Sequence, residues 1–301
     1  MVNFYIPDFW GYRDLNNILH SFMVLHPECF YDNIQIGAIY GTFPGAIWNG
    51  GRFSAGIVTL DDIKRTLDLF NGQGIPLRFT FTNSLLEEKH IYDTYCNLIM
   101  STAHNGFNEV LVNSPILEKY LRETYPNYKY ILSTTVGIRG IDNINHACEN
   151  YDMVVLDYND NKNDIILNNI TNKNKIEILL NETCNPNCPR RKQHYDFISM
   201  KQLNFLPWGK KEDFDCSSDG EVDIHLMEAR ENLTFINDKE LWNKYIPNGF
   251  SNFKIQGRGL PMIFAIDSYM LYMVKPEYRD TVRYELFKSL EASQMNQCLG
   301  Y

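Results

Sequence analysis

Short apolar, β-rich runs alternate with longer stretches of helical spacing along almost the whole chain. Residues 3–7 (NFYIP) are followed by 12–25, where Leu15, Ile18, Leu19, Phe22 and Met23 fall on one helical face. Residues 34–40 run into a Gly-rich loop over 41–56. Thr59 then caps a helix with Asp61 and Asp62 in its first turn, where carboxylates suit the helix dipole. A strand at 76–82 precedes a helix predicted over 87–103. Shorter units follow at 109–112 with 115–124, 129–133 with 143–150, and 153–157 with 164–170. The seventh strand, 175–180, ends in Asn181-Glu182-Thr183-Cys184, and a long cysteine-bearing region interrupts the alternation. An eighth strand begins at 253–255, and helices over 262–275 and 277–292 close the chain. Parallel neighbours need a helix-length crossover each time, so eight such units predict a single (β/α)₈ TIM-like barrel. It takes in residues 1–301 as one domain, with an insertion at about 205–250 between strands seven and eight. An open doubly wound sheet is the competitor, weakened by the lack of G-x-G-x-x-G after the first strand.

The 301 residues suit one large barrel, for which about 250 residues is typical. With 44% apolar and 22% charged residues, the chain can bury a full core. A net charge of −9 and the absence of a long basic run argue against generic nucleic-acid binding, leaving only Arg190-Arg191-Lys192 as a local basic patch. No membrane-length apolar run or signal-peptide pattern is visible, so a cytoplasmic protein is the expectation. Its seven cysteines are then expected to be reduced, buried or metal-bound.

Barrel chemistry sits at the C-terminal ends of the strands. Those ends carry Asp8, Trp10, Tyr40, Thr82, Asn83, Asn113, Ser114, Thr134, Asp157, Tyr158, Glu182, Cys184, Gln256 and Arg258. Glu182 and Asp157 are the candidate catalytic carboxylates, and Arg52, Arg258, Asn113 and Gln256 the candidate ligand-binding residues. The plainer reading is that half of the strand-end residues cap strands and satisfy loops. Arg52 lies in the Gly-rich loop Trp48–Ser54, and Arg258 emerges from strand eight. Two arginines facing one cavity suggest an anionic group on the ligand, unless each pairs with a carboxylate such as Glu182 or Asp157. Cys184 and Cys188, a Cys-x3-Cys pair in a Pro-stiffened loop, together with His194 and Cys216 offer four ligands for zinc or an iron–sulfur cluster. Without metal they are two loop cysteines, or Cys184 is a low-pKa thiol near Arg190, Arg191 and His194. Cys96 and Cys148 fall within helices, Cys29 precedes the second strand and Cys298 lies in the tail; all four read as ordinary thiols. His90, His104 and His225 are assigned no role.

IGAIYG with its Gly-rich loop and RFSAG, VLVNSPILEKYLRETYP, ILSTT, NETCNPNC and FKIQGR together resemble the collagenase-like (U32-like) peptidases of unknown catalytic type. That family has ubiquinone-biosynthesis and RNA-hydroxylating relatives. The most specific of these stretches, Lys254-Ile255-Gln256-Gly257-Arg258, is similar to the family's K-I-E-G-R signature. The resemblance implies a TIM-like barrel and, in some members, a four-cysteine iron–sulfur cluster tied to oxygen-independent hydroxylation. Two departures stand out: Gln256 replaces a glutamate, and a fourth cysteine near the site is missing. The leading expectation is a metal- or cluster-dependent enzyme acting on a small or RNA-borne aromatic ring. A peptidase and a non-catalytic binding protein on a barrel scaffold, with a protein partner, are the alternatives.

Overall fold

In the computed structural model, which describes residues 1–204, 214, 230 and 233–299, every strand pairs in parallel with its sequence neighbours. The strands are β1 (Val2–Pro7), β2 (Ile34–Gly41), β3 (Leu77–Phe81), β4 (Glu109–Val112), β5 (Lys129–Leu132), β6 (Met153–Val155), β7 (Ile176–Leu179) and β8 (Asn252–Lys254). β8 returns to β1 with Asn3 opposite Asn252 and Tyr5 opposite Lys254, so the sheet closes and no edge remains exposed. The expected (β/α)₈ barrel is the fold.

Period-two alternation explains which residues go where. Phe4, Ile6, Leu77, Phe79, Phe81, Ile176, Ile178, Phe253 and Ile255 point outward into the main core beneath the helices. That layer is held by α1 (Arg13–Leu25), α2 (Leu60–Gly72), α3 (Thr94–Thr102), α4 (Pro115–Thr124), α5 (Ile141–Asn150) and α6 (Asp164–Asn169). Two further helices, Met262–Tyr272 and Arg279–Leu299, close the barrel. Thr59 caps α2 as expected, and Asp62 bonds back to the Thr59 amide to make the cap reciprocal. The helix predicted over 87–103 is divided: Asp93 accepts from the Cys96 amide at 2.7 Å and restarts the chain as α3 after a 3-10 turn, Glu88–Tyr92. No helix among the described residues is long and apolar enough to cross a membrane.

The inward faces are unusually polar for a barrel, whose interior is ordinarily dominated by branched aliphatics. Tyr5, Ala38, Tyr40, Leu111, Ile131, Met153 and Val155 form a second small cluster. Beside it, fully buried Arg78 bonds Glu109 at 2.7 Å and also contacts Glu177, while its guanidinium lies 4.0 Å from the centre of the Tyr5 ring. Lys254 reaches Glu177 at 3.3 Å and stands 4.2 Å from the Tyr40 ring centre. Buried charges survive only when paired, and these are.

The segment after β7 departs from the simple repeat. α7 (Arg191–Leu203) runs over the C-terminal mouth towards the loops that follow β2 and β3. Gln202 clamps Ser54 by two bonds, accepting from its amide and donating to its carbonyl at 2.9 Å each. Asn83 Nδ2 donates to the Ser199 carbonyl at 3.1 Å, and the Ser84 hydroxyl donates to Asp196 at 2.7 Å. Outside the barrel, the described part of the insertion, 233–250, provides cover. Phe235, Ile236, Leu241 and Tyr245 are buried there, and the Ile236 amide bonds the Leu180 carbonyl at 2.8 Å.

Candidate functional site at the barrel mouth

Beneath α7 lies a cleft open to solvent, with a cavity volume of about 90 Å³. Its floor is Tyr40, Thr80, Leu111, Leu179 and Lys254, from the inward faces of five strands. The loop after β2 contributes Gly50, Gly51 and Arg52, the loop after β5 Ser133, Thr134 and Thr135, and the roof Arg191 and Tyr195. Glu182, Gln256 and Arg258 complete the wall.

Four cations and one carboxylate line this cleft, against the grain of a chain with net charge −9. Two of those cations are neutralised: Lys254 by Glu177, and Arg191 by Glu182 at 2.9 Å. Arg191 also lies 3.8 Å from the Tyr158 ring centre. Arg258 and Arg52 are different. Arg258 donates from Nη1 to Asn49 Oδ1 at 2.7 Å and to Thr80 Oγ1, and from Nη2 to the Gly50 carbonyl at 2.5 Å. Arg52 donates to the Gly51 carbonyl at 2.8 Å. Every one of these acceptors is neutral, and neither guanidinium forms an ion pair among the described residues. Burial, reinforced by Arg52 and only partly offset by Tyr40 and Asp8, pulls the Arg258 pKa down to about 10, which still leaves it cationic at neutral pH. Glycine is required beside them: Gly50 packs against the Thr82 carbonyl, where a Cβ would sit 2.4 Å away, and Gly51 adopts φ +75° under Arg258.

The other candidates divide. Gln256 lines the cleft and donates to Thr183 Oγ1 at 3.1 Å. Glu182 is on the wall, but both of its oxygens are engaged. Oε1 accepts from the Thr183 and Cys184 amides at 2.9 Å each, and Oε2 takes Arg191. Asp157 lies outside the cleft lining, capping its own loop by accepting from the Asn159 amide at 2.9 Å and its side chain at 2.8 Å. Asn113 stands behind the wall and donates to the Thr135 hydroxyl at 2.6 Å. The basic triplet is not a common patch. Arg191 is nearly buried, Arg190 stacks 4.8 Å from the Phe214 ring centre, and Lys192 pairs with Asp196 at 2.6 Å.

Cys184 and Cys188 occupy the loop between β7 and α7. The Cys188 amide donates to the Tyr158 hydroxyl at 3.1 Å. Burial pushes the Cys184 thiol up to about 11 despite the Arg191 guanidinium beside it, which opposes the reading of a low-pKa nucleophile. His194 stacks on Phe214 with 4.8 Å between ring centres; burial, then Arg52 and Arg191, lowers its pKa to about 4. Among the described residues no three His, Cys, Asp or Glu side chains come together as a metal site. Cys216 and His225 lie outside the described residues. The described donors therefore do not make up a cluster or zinc site, and no chemical step is assigned to one. No disulfide joins the described cysteines. Cys96 and Cys148 are buried in α3 and α5, Cys29 is buried in a 3-10 turn and Cys298 falls in the last helix.

Neither a family model nor a curated protein sequence matches the chain. A solved structure does: that of a U32 peptidase, Mk0906, with a TM-score of 0.53 over 87% of this chain and 94% of that one, at 12% identity. The barrel has a U32-peptidase-like fold. At that identity the likeness extends to the fold and no further.

Tyr195 and Lys254 were not among the expected site residues. Tyr195 had no signal, because a helix after strand seven is expected on the outside of a barrel. Lys254 had one: Lys254, Gln256 and Arg258 alternate at period two, the spacing that puts residues on one side of an extended chain.

Proposed function

We propose that this U32-peptidase-like barrel binds a small carboxylate-bearing molecule in its mouth, with Arg258 and Arg52 receiving the negative charge. The observation that carries the reading is the pair of guanidiniums lining one cleft and bonded, among the described residues, to neutral oxygens. With Nη1 fully used and one Nη2 hydrogen taken, Arg258 retains Nε–H and one Nη2 hydrogen as donors for a carboxylate. The hydroxyls of Ser133, Thr134 and Thr135 across the cleft suit the polar remainder of a small ligand. The carboxylate that the K-I-E-G-R signature would bring is replaced by Gln256, which favours an anion here.

Metal- or iron–sulfur-dependent hydroxylation of a small or RNA-borne ring rests on the sequence resemblance, with Cys184, Cys188, Cys216 and His194 as its ligands. The peptidase reading rests on the fold likeness. Either chemistry would use this same mouth, and so would a pure binding protein. Thermal denaturation with lactate, pyruvate, inorganic phosphate and the neutral lactamide tests the proposal. The carboxylates should raise the melting temperature of the wild type and leave Arg258→Gln and Arg52→Gln unmoved. Equal shifts with lactamide, or shifts that survive both substitutions, would overturn it.

A further inference from the structure

Lys254 sits on the floor of the cleft whose wall carries Arg258 and Arg52. Its one ion pair among the described residues, with Glu177, is shared with Arg78. Glu177 and Glu109 are the two buried carboxylates inside the barrel, and Arg78 bonds both. Lys129 stands 3.9 Å from Glu109 at the barrel's other end. Arg78 therefore shares Glu177 with Lys254, and Lys129, 56% exposed, adds a second cation beside Glu109. Its Nζ lies over the Tyr40 ring, 4.2 Å from the centre, with a side chain only 9% exposed. A buried lysine whose single carboxylate partner is also bonded by an arginine is held less firmly as an ammonium, and the neutral amine is the form that makes imines with carbonyl compounds.

We propose that Lys254 forms an imine with a small 2-oxoacid whose carboxylate is held by Arg258 and Arg52. The inference rests on the carboxylate-binding reading and adds the class of ligand. The neutral amine attacks the ketone carbon, so that a C–N bond forms and the carbonyl π pair moves to oxygen. The two amine hydrogens then leave with that oxygen as water, giving C=N. No oxidant, reductant or metal is required. Burial, assisted by Arg78 and Arg258 and opposed by Glu177, brings the Lys254 pKa down to about 8. Roughly a tenth of it is then neutral at pH 7, against roughly four in ten thousand for an ordinary lysine. The carboxylate held by the arginines fixes the carbonyl, which converts a slow encounter into a local one.

The test is reductive trapping on the full chain: pyruvate with sodium borohydride, followed by peptide mapping by mass spectrometry. A single adduct on Lys254, with the mass of pyruvic acid less one oxygen, is expected. Lys254→Arg should show none, and Arg258→Gln should trap at least tenfold more slowly at limiting pyruvate. Acetaldehyde, a carbonyl without the carboxylate, should label Lys254 no faster than surface lysines. Because a change at Lys254 can disturb the barrel, the mapped position of the wild-type adduct decides independently of any variant. Labelling spread evenly over surface lysines overturns the proposal. Calorimetry with lactate, which has no carbonyl, separates the two readings. Lactate binding without a Lys254 adduct ends the imine alone, and neither binding nor adduct ends both.

Discussion

Arg258, the residue proposed to receive the carboxylate, is also part of the structure around the cleft. Its bonds to Asn49, Thr80 and Gly50 tie the end of β8 to β3 and the loop after β2, so the guanidinium is held before any ligand arrives. Preorganisation of this kind reduces the ordering cost of binding. Replacing Gln256 by glutamate should weaken carboxylate binding at least several-fold by placing a second negative charge on the same wall, read as a loss of lactate affinity in calorimetry. Unchanged affinity would mean that Gln256 faces away from the bound anion. Lys254 makes a prediction about pH. Its folded pKa, about 8, lies below the ordinary lysine value, because it is buried among Arg78, Arg258, Tyr40 and Tyr5 with Glu177 as its one carboxylate contact. The unfolded chain therefore binds more protons over roughly pH 8 to 10.5. The stability this group contributes is complete above that window and is lost as pH falls through about 8. Urea unfolding of the wild type should strengthen across the window by more than that of Lys254→Met, and parallel curves would count against the shift.

At the scale of elements, α7 is what makes a cleft out of a barrel end. Gln202 and Ser199 dock it onto the loops after β2 and β3, so that Arg191 and Tyr195 form a roof. Gln202→Ala removes the two-bond clamp on Ser54 and should cost about 1–3 kcal/mol. Amide exchange over residues 50–54 should rise with it, and lactate binding should weaken, because Arg52 sits in that segment. An unaltered exchange pattern would show that the loop is held by other contacts. The alternation of β and α units was legible in the sequence because each strand and helix buries its own periodic face locally. The crossing of α7 was not legible. Its docking depends on Gln202, Ser199 and Asp196 meeting residues more than 100 positions away, and polar pairings at that separation leave no period to read. For the same reason the expected carboxylates read as free strand-end acids: Glu182 is occupied by Arg191 and two amides, and Asp157 by its own loop. Arg52 and Arg258 were legible, since strand-end position and glycine content already bring them to one mouth.

Over the whole molecule, a polar barrel interior supports an open, cationic end. Arg78, Glu109, Glu177 and Lys254 come from four different strands, so their network ties β3, β4, β7 and β8 across the interior. Each of them stands in a strand next to outward apolar neighbours, and the period-two pattern marks them as inward in hindsight. Arg78→Met leaves two buried carboxylates with Lys254 as the remaining buried cation, and should lower stability by about 3–5 kcal/mol. A urea midpoint close to wild type would show that the carboxylates simply take up protons. On the proposed reading, the excess of cations at the mouth, set in an acidic chain, would direct small anions to this end of the barrel.

Isothermal titration of lactate into wild type and Arg258→Gln tests the carboxylate site most directly. One site per chain is expected in the wild type, and a loss of at least tenfold in affinity in the variant. Equal affinities in the two proteins, or no binding to the wild type, would contradict it.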